Sequence, residues 1–485
     1  MKKKQVLIIT VLINLLLVQF INAEVKLPAL LSSKMVLQRS STVALWGWAN
    51  PNEKLDIRAS WIDASIQTKA DDKGSWRVDI ITTNSKESQT IRITDEVSSV
   101  LLEDILFGEV WLCSGQSNMQ QPLKGFRGQP TFGSVMAIAK SKNSNLRLFD
   151  VGRVGAKFPK EDLEKYSQWQ LAAPDSVSEF SAIAYFFGSQ LQEVLDCPVG
   201  LIHASWGGSK VEAWMSSEVL SMYQQVDLKG VDATKRANQT PTALFNAMIN
   251  PLIPFTIKGA LWYQGESNFT QPEKYKMLFP AMINDWRARW NIGDFPFFYV
   301  QLPPYSYKNN EAFQSEKNSA FMREAQLECL DDIPNSGIVI TMDLGRENFG
   351  HPPQKKEIAD RLLFNALNQT YGFSQVACKS PVYKTLEVKE GGIELIFEHN
   401  ALGLYSFDRL TGFEIAGNDR VFYPANAEIV SKRKNVFVSS DKVPNPVAVR
   451  YGWRNWITAS LYGGNLLPVS SFRTDDWSDA TQGGN

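Results

Sequence analysis

The chain has 485 residues, 44% hydrophobic and 21% charged, with 27 Phe and 14 Trp, which is enough apolar material for two or three cores and excludes a disordered protein. Fifty basic residues against fifty-one acidic leave a formal net charge of −1, so no overall positive field would gather nucleic acid or an anionic membrane. The expected partner is a small or neutral molecule.

The N-terminus opens with Lys2, Lys3 and Lys4, continues through an apolar run from Val6 to about Phe20 and ends on Ile21-Asn22-Ala23. Basic, apolar and small residues in that order predict a secretory signal peptide over residues 1–23, since the run is short of the ~20 residues that a membrane span needs. No later stretch is apolar enough to span, so the mature chain is expected in the periplasm or outside the cell, without a membrane span. Cys113, Cys197, Cys329 and Cys378 are too few for a disulfide framework and lack paired metal-ligand spacing.

From residue 24 to 105 short alternating runs, such as Thr42 to Trp48 and Ser75 to Ile80, are broken by turn residues and predict an N-terminal β-sandwich. From 106 to 373 apolar runs such as Gly259 to Tyr263 and Ile338 to Met342 alternate with amphipathic stretches. One of these, Gln354 to Leu367, sets Ile358, Arg361, Leu362 and Ala366 at helical spacing. That alternation predicts an α/β layer around a parallel sheet. Residues 374–485 return to β patterning with glycine punctuation and predict a C-terminal β-rich domain.

Four segments of the middle region carry candidate chemistry. The apolar strand Leu106 to Cys113 runs into Ser114-Gly115-Gln116-Ser117-Asn118-Met119, an abrupt strand-to-helix turn that lifts Ser117 to the C-terminal edge of the sheet. His203 to Ser209, with Gly207 and Gly208, and Trp262-Tyr263-Gln264-Gly265-Glu266-Ser267-Asn268 are likewise strands that end in small or amide residues. Strand ends of an open parallel sheet gather at one crevice, so the three blocks can face one substrate. The fourth segment is Met342-Asp343-Leu344-Gly345, followed by His351-Pro352. A hydroxyl nucleophile needs a base near neutral pH, and only three histidines exist. His399 lies in the β-patterned C-terminal part, and a packed or surface role suits it and His203. His351, in a loop before a helix, is the candidate base.

These blocks, in this order, resemble those of the sialate O-acetylesterase family within the SGNH-hydrolase superfamily. The resemblance extends to Arg323-Glu324-Ala325-Gln326, Val449 to Trp453 and Phe472 to Asp475. It implies a flavodoxin-like α/β hydrolase with accessory β domains that removes acetyl groups from sialic acids or related sugars, with no metal and no cofactor. It also implies Ser117 as nucleophile and His351 as base. The oxyanion hole would take the backbone N–H of Ser117 and of Gly207 or Gly208, and the side chain of Gln264 or Asn268. Glu266 and Trp214 are candidates for contact with the sugar. The superfamily usually places an aspartate two or three residues before the histidine, where this chain has Phe349 and Asn348. A third member would then be Asp343 or Glu347, or a neutral acceptor, the last being the favoured reading. Two rival functions stand beside this one: an acetylesterase acting on plant polysaccharides such as xylan or pectin, and an inactive carbohydrate-binding relative.

Overall fold

The computed structural model describes residues 25–477 apart from 225, 227–231, 234 and 308–316, so the expected signal peptide lies outside the described residues. Its centre is a twisted parallel sheet made of β1 (Ser99–Gly115), β2 (Asn143–Asp150), β3 (Val199–Ser205), β4 (Gly259–Tyr263), β5 (Phe297–Val300) and β6 (Ser336–Val339). Their spatial order is 6-5-4-1-3-2, closed on the β2 side by the short antiparallel strand Gln170–Ala172. With β2 set aside as an added edge strand, the other five follow the 2-1-3-4-5 order of flavodoxin-like sheets. The fold class is the α/β class that the resemblance implied.

Buried strands of a parallel sheet are apolar on both faces, and β1 shows why. Trp111 and Cys113 point to one side, where they meet α1 (Ala182–Leu195) and α4 (Lys355–Asn365). Val110 and Leu112 point to the other, whose core also takes in residues of α2 (Pro272–Trp290) and α3 (Ala320–Asp332). The four cysteines are free thiols and all are buried.

The 17 residues of β1 run on through the place where composition puts a boundary, between 105 and 106. Its first half pairs antiparallel with Gln89–Thr94 and its second half parallel with β3 and β4. The N-terminal strands therefore share one apolar core with a face of the central sheet: Leu45, Ile57 and Ile93 pack in the same cluster as Leu112, Trp262 and Trp286. After residue 380 two antiparallel four-stranded sheets enclose a separate core that includes Ile393, Ile415 and Val449.

That C-terminal part is tied to α3 through Arg323, which is fully buried. Its guanidinium donates to the Ser319 and Ser471 hydroxyls and to the carbonyls of Gly452 and Arg454, at 2.7–3.0 Å. Burial pulls the guanidinium down to about 10. These neutral acceptors satisfy the buried cation's donors where no carboxylate does.

Candidate active site

β1 ends on Gly115, whose φ of +138° is closed to most side chains. A Cβ there would also lie 2.2 Å from the carbonyl oxygen of Tyr263 on β4. The chain then turns into a single helical turn, Ser117–Gln120, with Gln116 held by its N–H to Tyr263. Among the described residues the Ser117 N–H has no acceptor, as expected for the first turn of a helix. The hydroxyl of Ser117 stands in a cleft of about 410 Å³, within the size range of small-molecule sites. Gln116, Arg127, Gly128, Gln129, Gly208, Glu266, Pro303, Tyr305, Tyr307 and the segment Asn348–His351 complete the lining.

His351 Nε2 lies 2.7 Å from Ser117 Oγ. The residues joined by this contact are far apart in sequence and come from opposite ends of the α/β layer. The other ring nitrogen, Nδ1, meets the side-chain oxygen of Gln129. Phe126 packs on the imidazole with ring centroids 5.6 Å apart. Burial, and then the nearby Lys355 ammonium, hold His351 down to about 4, so the ring is neutral at ordinary pH and its Nε2 can take a proton from Ser117.

Neither expected carboxylate reaches His351. Asp343 is engaged by Arg361 in a two-point ion pair at 2.8 and 2.6 Å, and Glu347 is an exposed loop residue whose backbone carbonyl accepts from Ser306. Of the loops expected to supply the oxyanion hole, the second lies directly against Ser117, since a Cβ on Gly207 would be 3.2 Å from Ser117 Cβ. The Gly207 N–H is already given to Gln120 at 2.6 Å, whereas Gly208 lines the cleft and its N–H has no acceptor among the described residues.

The amides of Gln264 and Asn268 depart from the expected role. Gln264 spends both N–H groups inside the protein, on the Ser209 carbonyl at 2.9 Å and on Asn268 Oδ1 at 2.8 Å. Asn268 in turn accepts from Val211 and donates to Glu212. Both are fully buried, and they brace the loop that carries Gly207 and Gly208. Trp214 is also removed from any sugar. It is fully buried, with its indole N–H on Ser209 and its ring edge-on to Trp262, because it fills the space between that loop and α2.

Glu266 lines the cleft and accepts from the side chain of Asn118. Asn118 bridges it to Lys355, which donates to the Asn118 oxygen at 2.5 Å; the Asn118 side-chain NH₂ also donates to the Gly350 carbonyl at 3.1 Å, one residue before His351. Burial pushes Lys355 down to about 7 against the pull of Glu266, and raises Glu266 against the pull of its own backbone N–H, Asn118 and Lys355. This buried set of charges fixes the loop on which the histidine sits.

Residues without a role in the sequence reading thus stand at the site: Gln116, Asn118, Arg127, Gln129 and Lys355. Gln116 and Asn118 flank Ser117 in the Ser114–Met119 segment, and their amide character was the available signal. Gln116 Oε1 takes the N–H groups of Gly265 and Ser267 at 3.4 and 3.3 Å, which turns its NH₂ away from them. Gln129 carries no periodic or spacing signal. Among the described residues no group of three or more His, Cys, Asp or Glu side chains is placed to hold a metal ion.

Residues 108–358 match the family described as carbohydrate esterase, sialic acid-specific acetylesterase. Among solved structures, a carbohydrate acetylesterase from Xanthomonas citri is similar with a TM-score of 0.84 and 34% identity, covering 93% of this chain and 100% of that one. The sialate O-acetylesterase of Homo sapiens is 27% identical over 467 residues, 88% of this chain and 87% of that protein. That of Mus musculus is 26% identical over 510 residues, with 90% and 92% covered. Fold and kinship define a hydrolase, a carbohydrate O-acetylesterase. More particularly, the chain belongs to the sialic acid-specific acetylesterase family of carbohydrate esterases.

Proposed function

We propose that the protein is a secreted serine esterase that hydrolyses O-acetyl esters on sialic acids or closely related acidic sugars, with Ser117 as nucleophile and His351 as base. The observation that carries the reading is the 2.7 Å contact between Ser117 Oγ and His351 Nε2 inside the cleft. Ser117 Oγ attacks the acetyl carbonyl carbon while its proton passes to Nε2, giving a tetrahedral oxyanion. Donors for that oxyanion are the N–H groups of Ser117 and Gly208 and the NH₂ of Gln116, all uncharged, so they hold it without changing protonation state. Collapse breaks the bond to the sugar oxygen, which takes the proton from Nε2. Water then attacks the acetyl-serine, giving one proton to His351; that proton returns to Ser117 as acetic acid leaves, to ionise to acetate in solution.

Arg127 supports the acidic sugar. It is an exposed guanidinium lining the cleft, with no acidic partner among the described residues, and a planar two-point cation suits a sugar carboxylate. The curated relatives are sialate O-acetylesterases, which favours the same substrate. No helix of the described residues is long and apolar enough to cross a membrane, and the N-terminal basic and apolar sequence supports export.

The test is acetate release across a panel of O-acetylated sialic acids, acetylated xylan and acetylated pectin, with native and Arg127→Ala protein. Preference for the sialic acids, with a KM for them that rises in Arg127→Ala, is the expected result. Equal or better turnover of neutral acetylated xylan would overturn the substrate assignment.

A further inference from the structure

A histidine acting as base toward Ser117 must keep its proton on Nδ1, so that the Nε2 lone pair faces the hydroxyl. The group at Nδ1 therefore has to accept a hydrogen bond. In this protein that group is an amide oxygen, that of Gln129.

The segment presenting it is built to hold still. The buried side chain of Gln121 donates to the carbonyls of Gln129 and Pro130 and to the Thr131 hydroxyl, at 3.2–3.3 Å. The Gln129 N–H closes a turn on the Phe126 carbonyl at 2.9 Å, which also sets the Phe126 ring against His351. Three residues on, the Phe132 N–H donates to the Pro353 carbonyl at 2.9 Å and ties this segment to the histidine loop. Ser117 and the group that orients its base are thus delivered by one stretch of chain, Ser117 to Gln129.

Among the described residues, the charged surroundings of His351 carry no compensating anion in contact with it. The helical turn contributes Ser117 and Asn118, α4 contributes the Lys355 ammonium, and the Gln129 segment contributes Phe126 and, at the cleft rim, Arg127. Glu266 is held to Lys355 through Asn118. Asp343 is committed to Arg361.

We propose that Gln129 is the third member of the Ser117-His351 chain, a positioning residue whose side-chain carbonyl fixes the reactive tautomer while leaving the imidazolium without a carboxylate counter-charge. The proposal rests on the Ser-His reading above. It makes the enzyme one in which orientation is kept and charge stabilisation is given up. The histidine holds its proton weakly, remains a base in acid solution, and as imidazolium is a strong acid toward the departing sugar oxygen.

Three measurements test it. In the native protein, ¹⁵N NMR of histidine at pH 7 should show His351 protonated on Nδ1 and bare on Nε2; the opposite tautomer overturns the proposal. Gln129→Ala should lower kcat about ten- to a hundredfold, part of what a general base supplies, with KM little changed. Gln129→Glu, nearly the same shape, should restore kcat and move the acid limb of kcat/KM upward by a pH unit or more, because an anion at Nδ1 favours the imidazolium. A merely structural role would not shift that limb. Profiles of both variants that superimpose on the native one, while Ser117→Ala is inactive, would sink the proposal and leave the Ser-His reading standing. Activity persisting in Ser117→Ala would sink the reading beneath it.

Discussion

Two serine-histidine chains stand on the same sheet, and the more complete one is not in the cleft. At the ends of β2 and β3, Ser205 Oγ lies 2.5 Å from His203 Nε2, and His203 Nδ1 lies 2.5 Å from Asp150. Strand geometry alone produces this arrangement. His203 and Asp150 are register partners on adjacent strands, and Ser205 is two residues further on, on the same face. Yet Ser205 is buried, does not line the cleft, and sits within the ladder opposite Gly115, where its neighbour's N–H is given to the Gly115 carbonyl at 3.0 Å. Ser117, two residues beyond a strand end, has open space beside its hydroxyl, an N–H with no acceptor among the described residues, and an amide where the other chain has an acid. On the proposed mechanism, a triad is made reactive by its place at the sheet edge, and the carboxylate is the more dispensable part.

The largest expected effect tests that contrast directly. Ser117→Ala should cut acetate release by about ten-thousandfold or more, as loss of a serine nucleophile does. Ser205→Ala should leave kcat within about threefold while costing about 1–3 kcal/mol of stability, since His203 Nε2 loses its buried partner. A collapse of activity in folded Ser205→Ala would break the comparison.

The pH profile sharpens it next. With His351 held to about 4, kcat/KM of the native enzyme should stay flat on acidification and fall only as pH drops through about 4, where the imidazole takes up a proton and ceases to be a base. A limb near the ordinary histidine value of about 6.5 would mean that a negative charge does support this imidazole.

Gln264→Ala comes third. Both its N–H groups are used to brace the glycine loop, so the expected loss is about 1–3 kcal/mol of stability, seen as a lower Tm, with kcat changed by less than about tenfold. A hundredfold fall in kcat at unchanged Tm would return this amide to the oxyanion hole. The smallest effects belong to Asp343→Asn and Glu347→Gln, which should leave kcat within about threefold because one carboxylate serves Arg361 and the other is exposed. A loss above a hundredfold in either would name an acid for the Ser117-His351 chain.

What the sequence made legible was whatever strand periodicity and strand ends encode. Apolar runs closed by Gly115-Gln116-Ser117 and by Gly207-Gly208 marked the crevice, since only a strand ending at an abrupt turn needs those residues there. The contacts made by long polar side chains were not legible. Gln264 and Gln129 are the same residue type near the same cleft. One points into the protein to hold a loop and the other meets the histidine, and nothing local distinguishes them. Trp214 misled for a related reason, because a large aromatic near a glycine turn suits a sugar platform and a core equally until the packing of α2 decides. Nor did composition register that one strand, β1, serves both the N-terminal layer and the central sheet.

The buried Arg323 has a practical meaning for anyone wishing to make this enzyme smaller. Three of its acceptors, Ser471 and the carbonyls of Gly452 and Arg454, come from the C-terminal sheets, and the same region supplies the Asn455 carbonyl that fixes Tyr305 in the cleft wall. A truncation ending after α4 would strip the guanidinium of three of its acceptors and loosen a wall of the substrate cleft at the same stroke. A minimal catalyst cut from this chain must therefore keep its β-rich tail, and a chimaera must inherit tail and α3 from the same parent.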